Sequence, residues 1–208
     1  MKRVAGRMGI YRAKPAFRRL LEPVAKAMIR SGVSADMVTT AGVVFAGLAG
    51  LGVWLGRGGS SWLLLVSVAV LFRTAANALD GMIATTTGTA RALGEVFNEV
   101  ADRLGDIAVF LPMVLVPGVD ALLVGGVLAS MLVTSYLGVA VKAAGGSRIY
   151  TGLMAKPDRM LVVGAGAVAG LIWNPSDAFT WVLWIILGGV IVTFTQRVRQ
   201  ARKELACQ

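Results

Sequence analysis

The 208-residue sequence predicts an all-α integral membrane protein, with six transmembrane helices preceded by an amphipathic interfacial helix. Three observations predict it. Apolar residues make up 56% of the chain, mean hydropathy is +0.73 and charged residues are only 15%, against roughly 25% in soluble domains. The apolar residues gather into six runs, most of them near the about 20 residues that a spanning helix needs. The basic residues gather at the two ends. Nine of the 21 Lys and Arg lie in residues 1–30 (Lys2, Arg3, Arg7, Arg12, Lys14, Arg18, Arg19, Lys26 and Arg30), and four more close the chain at Arg197, Arg199, Arg202 and Lys203. With a net charge of +10, this distribution is a positive-inside signal and implies membrane lipids with anionic headgroups as neighbours. No nucleic acid is implied, because no soluble domain or aromatic platform carries the charge. A single cysteine, Cys207, cannot form an internal disulfide, and the absence of His removes His-based catalysis and His-ligated zinc.

The elements follow in order. Residues 14–31 place Phe17, Leu20, Leu21, Val24 and Met28 on one helical face and Arg18, Arg19, Lys26 and Arg30 away from it. This fits a helix lying in the membrane interface, or one packed on the membrane domain. No apolar run follows the basic residues closely enough for a cleavable signal peptide. Ser34 is placed to cap the next helix. The spans fall near 37–56, 60–83, 93–117, 120–143, 156–173 and 178–197. The chain divides into a basic cytoplasmic N-terminus, 1–33, and a six-helix transmembrane domain, 34–208. The breaks GRGGSS, PGVD and WNPSD hold one basic residue, Arg57, whereas the opposite side holds both termini, Arg91 and the stretch 142–159. Both termini are therefore expected in the cytoplasm, with Trp62, Trp173 and Trp181 at the far interface.

Within this apolar chain, five of the eleven acidic residues crowd into residues 77–106: Asp80, Glu95, Glu99, Asp102 and Asp106. Asn77 precedes Asp80 by three residues, so both project from one face of the second span. On the third span Gly94, Asn98, Asp102 and Asp106 recur every fourth residue, about 6 Å apart along one stripe. A short loop makes the two spans a hairpin, so the stripes can face each other. Carboxylates sharing a partly desolvated site need protons or cations, and oxygen donors at this density suit Mg²⁺ or Mn²⁺. Asp106 and Glu99 also fit a cap or a surface charge, and Glu95 a solvated charge at a loop end. Gly81 and Gly94 leave room for a ligand or for a packed helix.

These residues resemble the CDP-alcohol phosphotransferase family, whose motif is D-x2-D-G-x2-A-R-x8-G-x3-D-x3-D across two membrane helices. Here it reads Asn77-x2-Asp80-Gly81-x2-Ala84-Thr85, eight residues, then Gly94-x3-Asn98-x3-Asp102. Every spacing matches, and the six-span layout with its N-terminal helix extends the resemblance over nearly the whole chain. Asn replaces the first and third Asp, and Thr85 replaces the Arg. In the family the four acidic positions hold two metal ions that bind the CDP pyrophosphate, and the last Asp acts as base. By position, the resemblance makes Asp80 and Asp102 metal ligands, Asn77 and Asn98 neutral ligands, and Asp102 the catalytic base. Gly81, Ala84 and Gly94 would line the CDP site, and Asp106 or Glu99 would restore some of the lost charge. The Asn pair leaves two readings. One is weaker metal binding, one ion in place of two, or an inactive member. The other, which we prefer, is an active variant rebuilt around Asp102 and Asp106.

The resemblance implies transfer of a phosphatidyl-type group from a CDP-linked lipid, CDP-diacylglycerol, to a phosphorylated polyol with release of CMP. Lys142, Arg148, Lys156 and Arg159 cluster near the junction of spans four and five. They resemble the region where inositol-phosphate-using members hold the acceptor phosphate, with Lys142 and Arg159 matching best. Inositol phosphate and glycerol 3-phosphate both remain open as acceptors. The family often forms homodimers, for which Gly118, Gly125, Gly126 and Ala129 offer small packing residues. A bacterial inner membrane is the expected location. A small cation transporter is the competing class, but no repeat relates the halves and the polar residues gather near one face.

Overall fold

The structure, a computed structural model, describes residues 14–206. Cys207 and the basic residues Lys2, Arg3, Arg7 and Arg12 lie outside the described residues. All regular structure among those described is helical. The helices are α1 (Lys14–Arg30), α2 (Ala35–Gly56), α3 (Leu63–Thr86), α4 (Ala92–Phe110), α5 (Ala121–Ala143), α6 (Lys156–Ile172) and α7 (Pro175–Leu205), with a 3-10 turn at Leu111–Leu115 closing α4. Four of them, α2, α3, α5 and α7, are long and apolar enough to cross a membrane. The six-span expectation meets two exceptions. Helix α6 has only 17 residues, and α4 carries Glu95, Glu99, Asp102, Arg103 and Asp106 within its 19.

Helix α1 packs on the bundle, one of the two roles the sequence left open. Leu21, Met28 and Ile29 pack with Val38 of α2 and Leu79 and Ile83 of α3, around buried Ala25. Leu20 and Val24 stay outward, 73% and 45% exposed. On its polar side Lys26 sits 2.7 Å from Glu22, which holds that carboxyl below its ordinary range. The Ser34 hydroxyl then accepts from the Met37 N–H at 3.2 Å, capping α2. That contact leaves one fewer free donor at the helix start.

The main core runs from Ala46 and Val53 of α2 through Phe110, Met113 and Met131 to Phe179, Leu183 and Ile186 of α7. Close packing across it depends on a missing side chain: a Cβ on Gly50 would lie 2.2 Å from the Ala108 carbonyl oxygen, so α2 can pass α4 only as glycine there. Outward residues are apolar in turn, with Leu122, Trp173, Ile172 and Trp181 all more than two-thirds exposed. That is the surface expected of a bundle in lipid rather than water.

Helix α7 runs eight residues beyond the expected span. Its polar stripe explains why. Thr193, Gln196, Arg197, Gln200 and Glu204 follow one another at helical spacing and bind the loop between α5 and α6. Met154 N–H donates to Thr193 Oγ1 at 2.8 Å, Leu153 N–H to Gln196 Oε1 at 3.1 Å, Thr151 Oγ1 to Gln200 Oε1 at 2.7 Å and Ser147 N–H to Glu204 Oε2 at 3.1 Å. The loop is thus laid along a rail, and Lys156, at its end, is delivered to a fixed place.

Candidate active site

The acidic stripe of α3 and α4 meets α2 and α6 at one end of the bundle. Asp80, 4% exposed, accepts from the Thr39 hydroxyl of α2 at 3.0 Å and from the Gly81 N–H at 2.5 Å. Asn77, one turn earlier on α3, donates its amide to Asp102 Oδ1 of α4 at 3.2 Å. The other Asp102 oxygen accepts from the Lys156 ammonium at the start of α6. Asp80 lies one turn along α3 from Asn77. The structure therefore brings Asp80, Asn77, Asp102 and Lys156 into one neighbourhood. Asn98 is half-buried one turn before Asp102 on α4.

Asp106 has a different setting. It is 1% exposed and shared by three guanidiniums: Arg159 Nη2 at 3.2 Å, Arg73 Nη2 at 3.5 Å and Arg103 Nη1 at 3.6 Å. Arg73 also donates to the Asp102 carbonyl oxygen at 3.3 Å. It passes directly over Gly105, where a Cβ would lie 1.6 Å from its Nη1. Three guanidiniums therefore surround the Asp106 carboxylate, expected as a further ligand of the ion, and Asp106 also lines the larger of the two cavities beside the cluster. Glu99 likewise pairs with Arg148 and, at 3.5 Å, with Arg103.

Two cavities adjoin the cluster. The larger, about 540 Å³, lies between α1, α3, α6 and α7; Phe17, Asn77, Gly81, Thr85, Lys156 and Arg197 are among its walls. The smaller, about 30 Å³, is walled by Arg103, Arg148, Lys156, Arg159 and Arg197 together with Glu99 and Thr134. Tyr150, Ala155, Lys156 and Arg197 belong to both. Asp80 and Asp102 lie behind these walls rather than in them.

Among positions expected to line a nucleotide site, Gly81 does so, while Ala84 and Gly94 line neither cavity. Gly94 instead faces Arg91 and Asp36, a pair that ties the end of the α3–α4 loop to the start of α2. Of the three residues expected on an acceptor phosphate, Arg148 and Arg159 line the small cavity. Lys142 is exposed, 2.6 Å from Glu95, and lines neither. Arg148 also binds Glu95 at 2.9 Å and stacks over Tyr150 at 4.6 Å. Sequence reasoning missed Arg73, Arg103 and Arg197. The first two sit inside apolar spans, where an unexplained cation was the available signal. Arg197 was counted only as terminal charge, but its Nη1 donates to the Thr134 carbonyl at 2.8 Å.

Two guanidiniums that wall the small cavity carry buried nitrogens without a hydrogen bond, Arg103 (Nε, Nη1, Nη2) and Arg159 (Nε); Arg103 Nη2 and Nη1 are met only by ion pairs, at 3.5 Å with Glu99 and 3.6 Å with Asp106. Buried donors left unmatched are costly, so such a cluster favours an anion. For a divalent cation the donors are two carboxylates and two amides. Among the described residues no three acidic, His or Cys side chains converge on one point. Asp80 and Asp102 nevertheless fit a hard ion: each carboxylate has about four lone-pair positions, and two are used in each case.

Comparisons with known proteins point the same way. The Escherichia coli K12 inner membrane protein YnbA is 33% identical over 179 residues, covering 86% of this chain and 89% of that protein. The phosphatidylinositol phosphate synthase of Mycolicibacterium smegmatis is 33% identical over 198 residues, 91% of this chain and 86% of that one. The fold is that of the Mycobacterium tuberculosis phosphatidylinositol phosphate synthase PgsA1. Its structure with CDP-DAG bound aligns at TM-score 0.72 and 24% identity over 88% of this chain and 94% of that one. Its complex with manganese and citrate aligns at 0.71 and 24%, over 86% and 87%. No family model matches the chain.

Proposed function

Because the chain belongs to the CDP-alcohol phosphotransferase family, we propose that it transfers the phosphatidyl group of CDP-diacylglycerol to a phosphorylated polyol and releases CMP. The observation that carries this reading is the pair of cavities sharing Lys156 and Arg197. The large one, open between helices and mostly apolar, suits a nucleotide-linked lipid arriving from the bilayer. The small one, walled by guanidiniums with unmatched donors, suits a phosphate. Inositol phosphate is the preferred acceptor, since the M. smegmatis relative is named for that product; glycerol 3-phosphate is the second candidate.

The cofactor is Mg²⁺ or Mn²⁺. Asp80 and Asp102 would hold it, with the amide oxygens of Asn77 and Asn98. Once bound, it would neutralise charge on the pyrophosphate. Asp106 is assigned to the arginine cluster instead. The acceptor hydroxyl attacks the phosphorus that bears diacylglycerol. The bond from that phosphorus to the CMP oxygen breaks, CMP leaves as the anion, and the hydroxyl proton passes to Asp102. Arg148, Arg159 and Arg197 orient the acceptor phosphate.

We further read six membrane crossings, with α4 and α6 adding to the four apolar helices, residues 1–33 as the basic N-terminal segment and both termini in the cytoplasm of a bacterial inner membrane. Gly125, Gly126 and Ala129 lie outward on α5 and support a homodimer across that helix. Gly118, exposed in the turn before α5, lies beside Ser176 of α7.

The test is CMP release by the purified protein with CDP-diacylglycerol, Mg²⁺ or Mn²⁺, and a panel of acceptors. Turnover with inositol phosphate or glycerol 3-phosphate, and none with unphosphorylated alcohols, is the expected result. Turnover only with unphosphorylated alcohols would remove the anion cavity from the reading. CDP-lipid binding without turnover on any acceptor would make the chain an inactive member.

A further inference from the structure

The Asp102 carboxylate is reached from the large cavity only past two residues. Asn77 holds one of its oxygens and Lys156 the other, and both residues line that cavity while Asp102 does not. The Lys156 ammonium is therefore a cation already seated on the candidate metal ligand. It is held there from two sides. Pro157 and Asp158 start α6 beneath it, with the Ala155 N–H donating to Asp158 Oδ2 at 2.9 Å. Upstream, the loop is pinned to α7 through Met154 and Thr193 at 2.8 Å. With Asn at positions 77 and 98, the two motif carboxylates, Asp80 and Asp102, carry two negative charges; one divalent ion and the Lys156 ammonium already exceed them by one. A second divalent ion would face the ammonium as well as the nearby Arg73 guanidinium, a repulsion that low-dielectric surroundings strengthen.

We infer that Lys156 is a built-in second cation: the site takes one divalent ion, and the ammonium occupies the position on Asp102 where another would bind. This rests on the metal-dependent reading above. In the reaction, Lys156 would then touch the transferred phosphoryl group from the cavity side, as a fixed positive charge that need not be recruited from solution.

The experiment is Mn²⁺ binding to the full-length protein in detergent, followed by the loss of the free-ion electron paramagnetic resonance signal. Wild type should bind one Mn²⁺ per chain. Lys156→Met, which removes the charge and keeps the length, should bind Mn²⁺ at least tenfold more tightly or take up a second ion. Lys156→Arg should retain the wild-type stoichiometry and affinity. A manganese anomalous difference map of the wild type supplies a measurement that does not depend on the variants folding. It should show one peak, with Lys156 Nζ still hydrogen-bonded to Asp102. Two ions in the wild type, or unchanged Mn²⁺ binding in a folded Lys156→Met, would overturn this inference alone. No bound ion would overturn it together with the reading it rests on.

Discussion

Replacing Gly105 by alanine tests the arginine cluster at its tightest point. The new methyl would sit 1.6 Å from Arg73 Nη1 and 2.3 Å from its Cζ, so the guanidinium has to leave. Arg73 is 2% exposed and lies mid-helix on α3, at the wall of the large cavity. Leaving its place, it loses Asp106 at 3.5 Å and the Asp102 carbonyl at 3.3 Å. A buried charge deprived of its partner costs about 3–5 kcal/mol. At roughly 2–4 °C per kcal/mol for a chain of this size, the melting temperature in detergent should fall by about 10 °C. The companion variant Gly105→Ala with Arg73→Met decides the cause. Methionine is flexible enough to share the space, and Asp106 keeps Arg159 and Arg103, so the double variant should recover most of the loss. Wild-type melting of Gly105→Ala, or a double variant no better than the single one, would refute the reasoning.

Two other perturbations follow from the same contacts. Asn77→Asp sets a second carboxylate against Asp102 at a distance now bridged by a 3.2 Å hydrogen bond. The variant should melt lower than wild type without metal, and Mn²⁺ should raise its melting temperature by more than it raises that of the wild type; an equal rise would remove Asn77 from the ion. Arg197→Met withdraws a guanidinium from the wall between the cavities and frees the Thr134 carbonyl. The KM for the phosphorylated acceptor should rise at least tenfold with little change in the KM for CDP-diacylglycerol, and equal effects on both would show a purely structural role.

Much of this was legible in the sequence because the physics was local. Apolar run lengths marked the helices, and Ser34 marked a cap from its residue type and position. The four-residue period of Gly94, Asn98, Asp102 and Asp106 placed them on one stripe, and the Asn77–Asp80 spacing aimed a second stripe at it. What escaped was decided by partners distant along the chain. Asp106 shares the stripe of Asp102, but its role is set by Arg73 on α3 and Arg159 on α6, 33 and 53 residues away. Lys142 shares its segment with Arg148, yet it pairs with Glu95 and lines neither cavity. Arg197 looked like topology charge until the extra turns of α7 proved to be the rail for the loop that carries Lys156.

The central claim is that Asp80 and Asp102, on neighbouring helices, form one cation-dependent transfer site. It is tested most directly by CMP release from CDP-diacylglycerol and a phosphorylated polyol, in Mn²⁺, by Asp80→Asn and Asp102→Asn proteins that melt like the wild type. Each substitution should lower turnover at least 1,000-fold, the order expected when a proton acceptor or charge-stabilising group is lost. Turnover within tenfold of wild type in either folded variant would contradict the account.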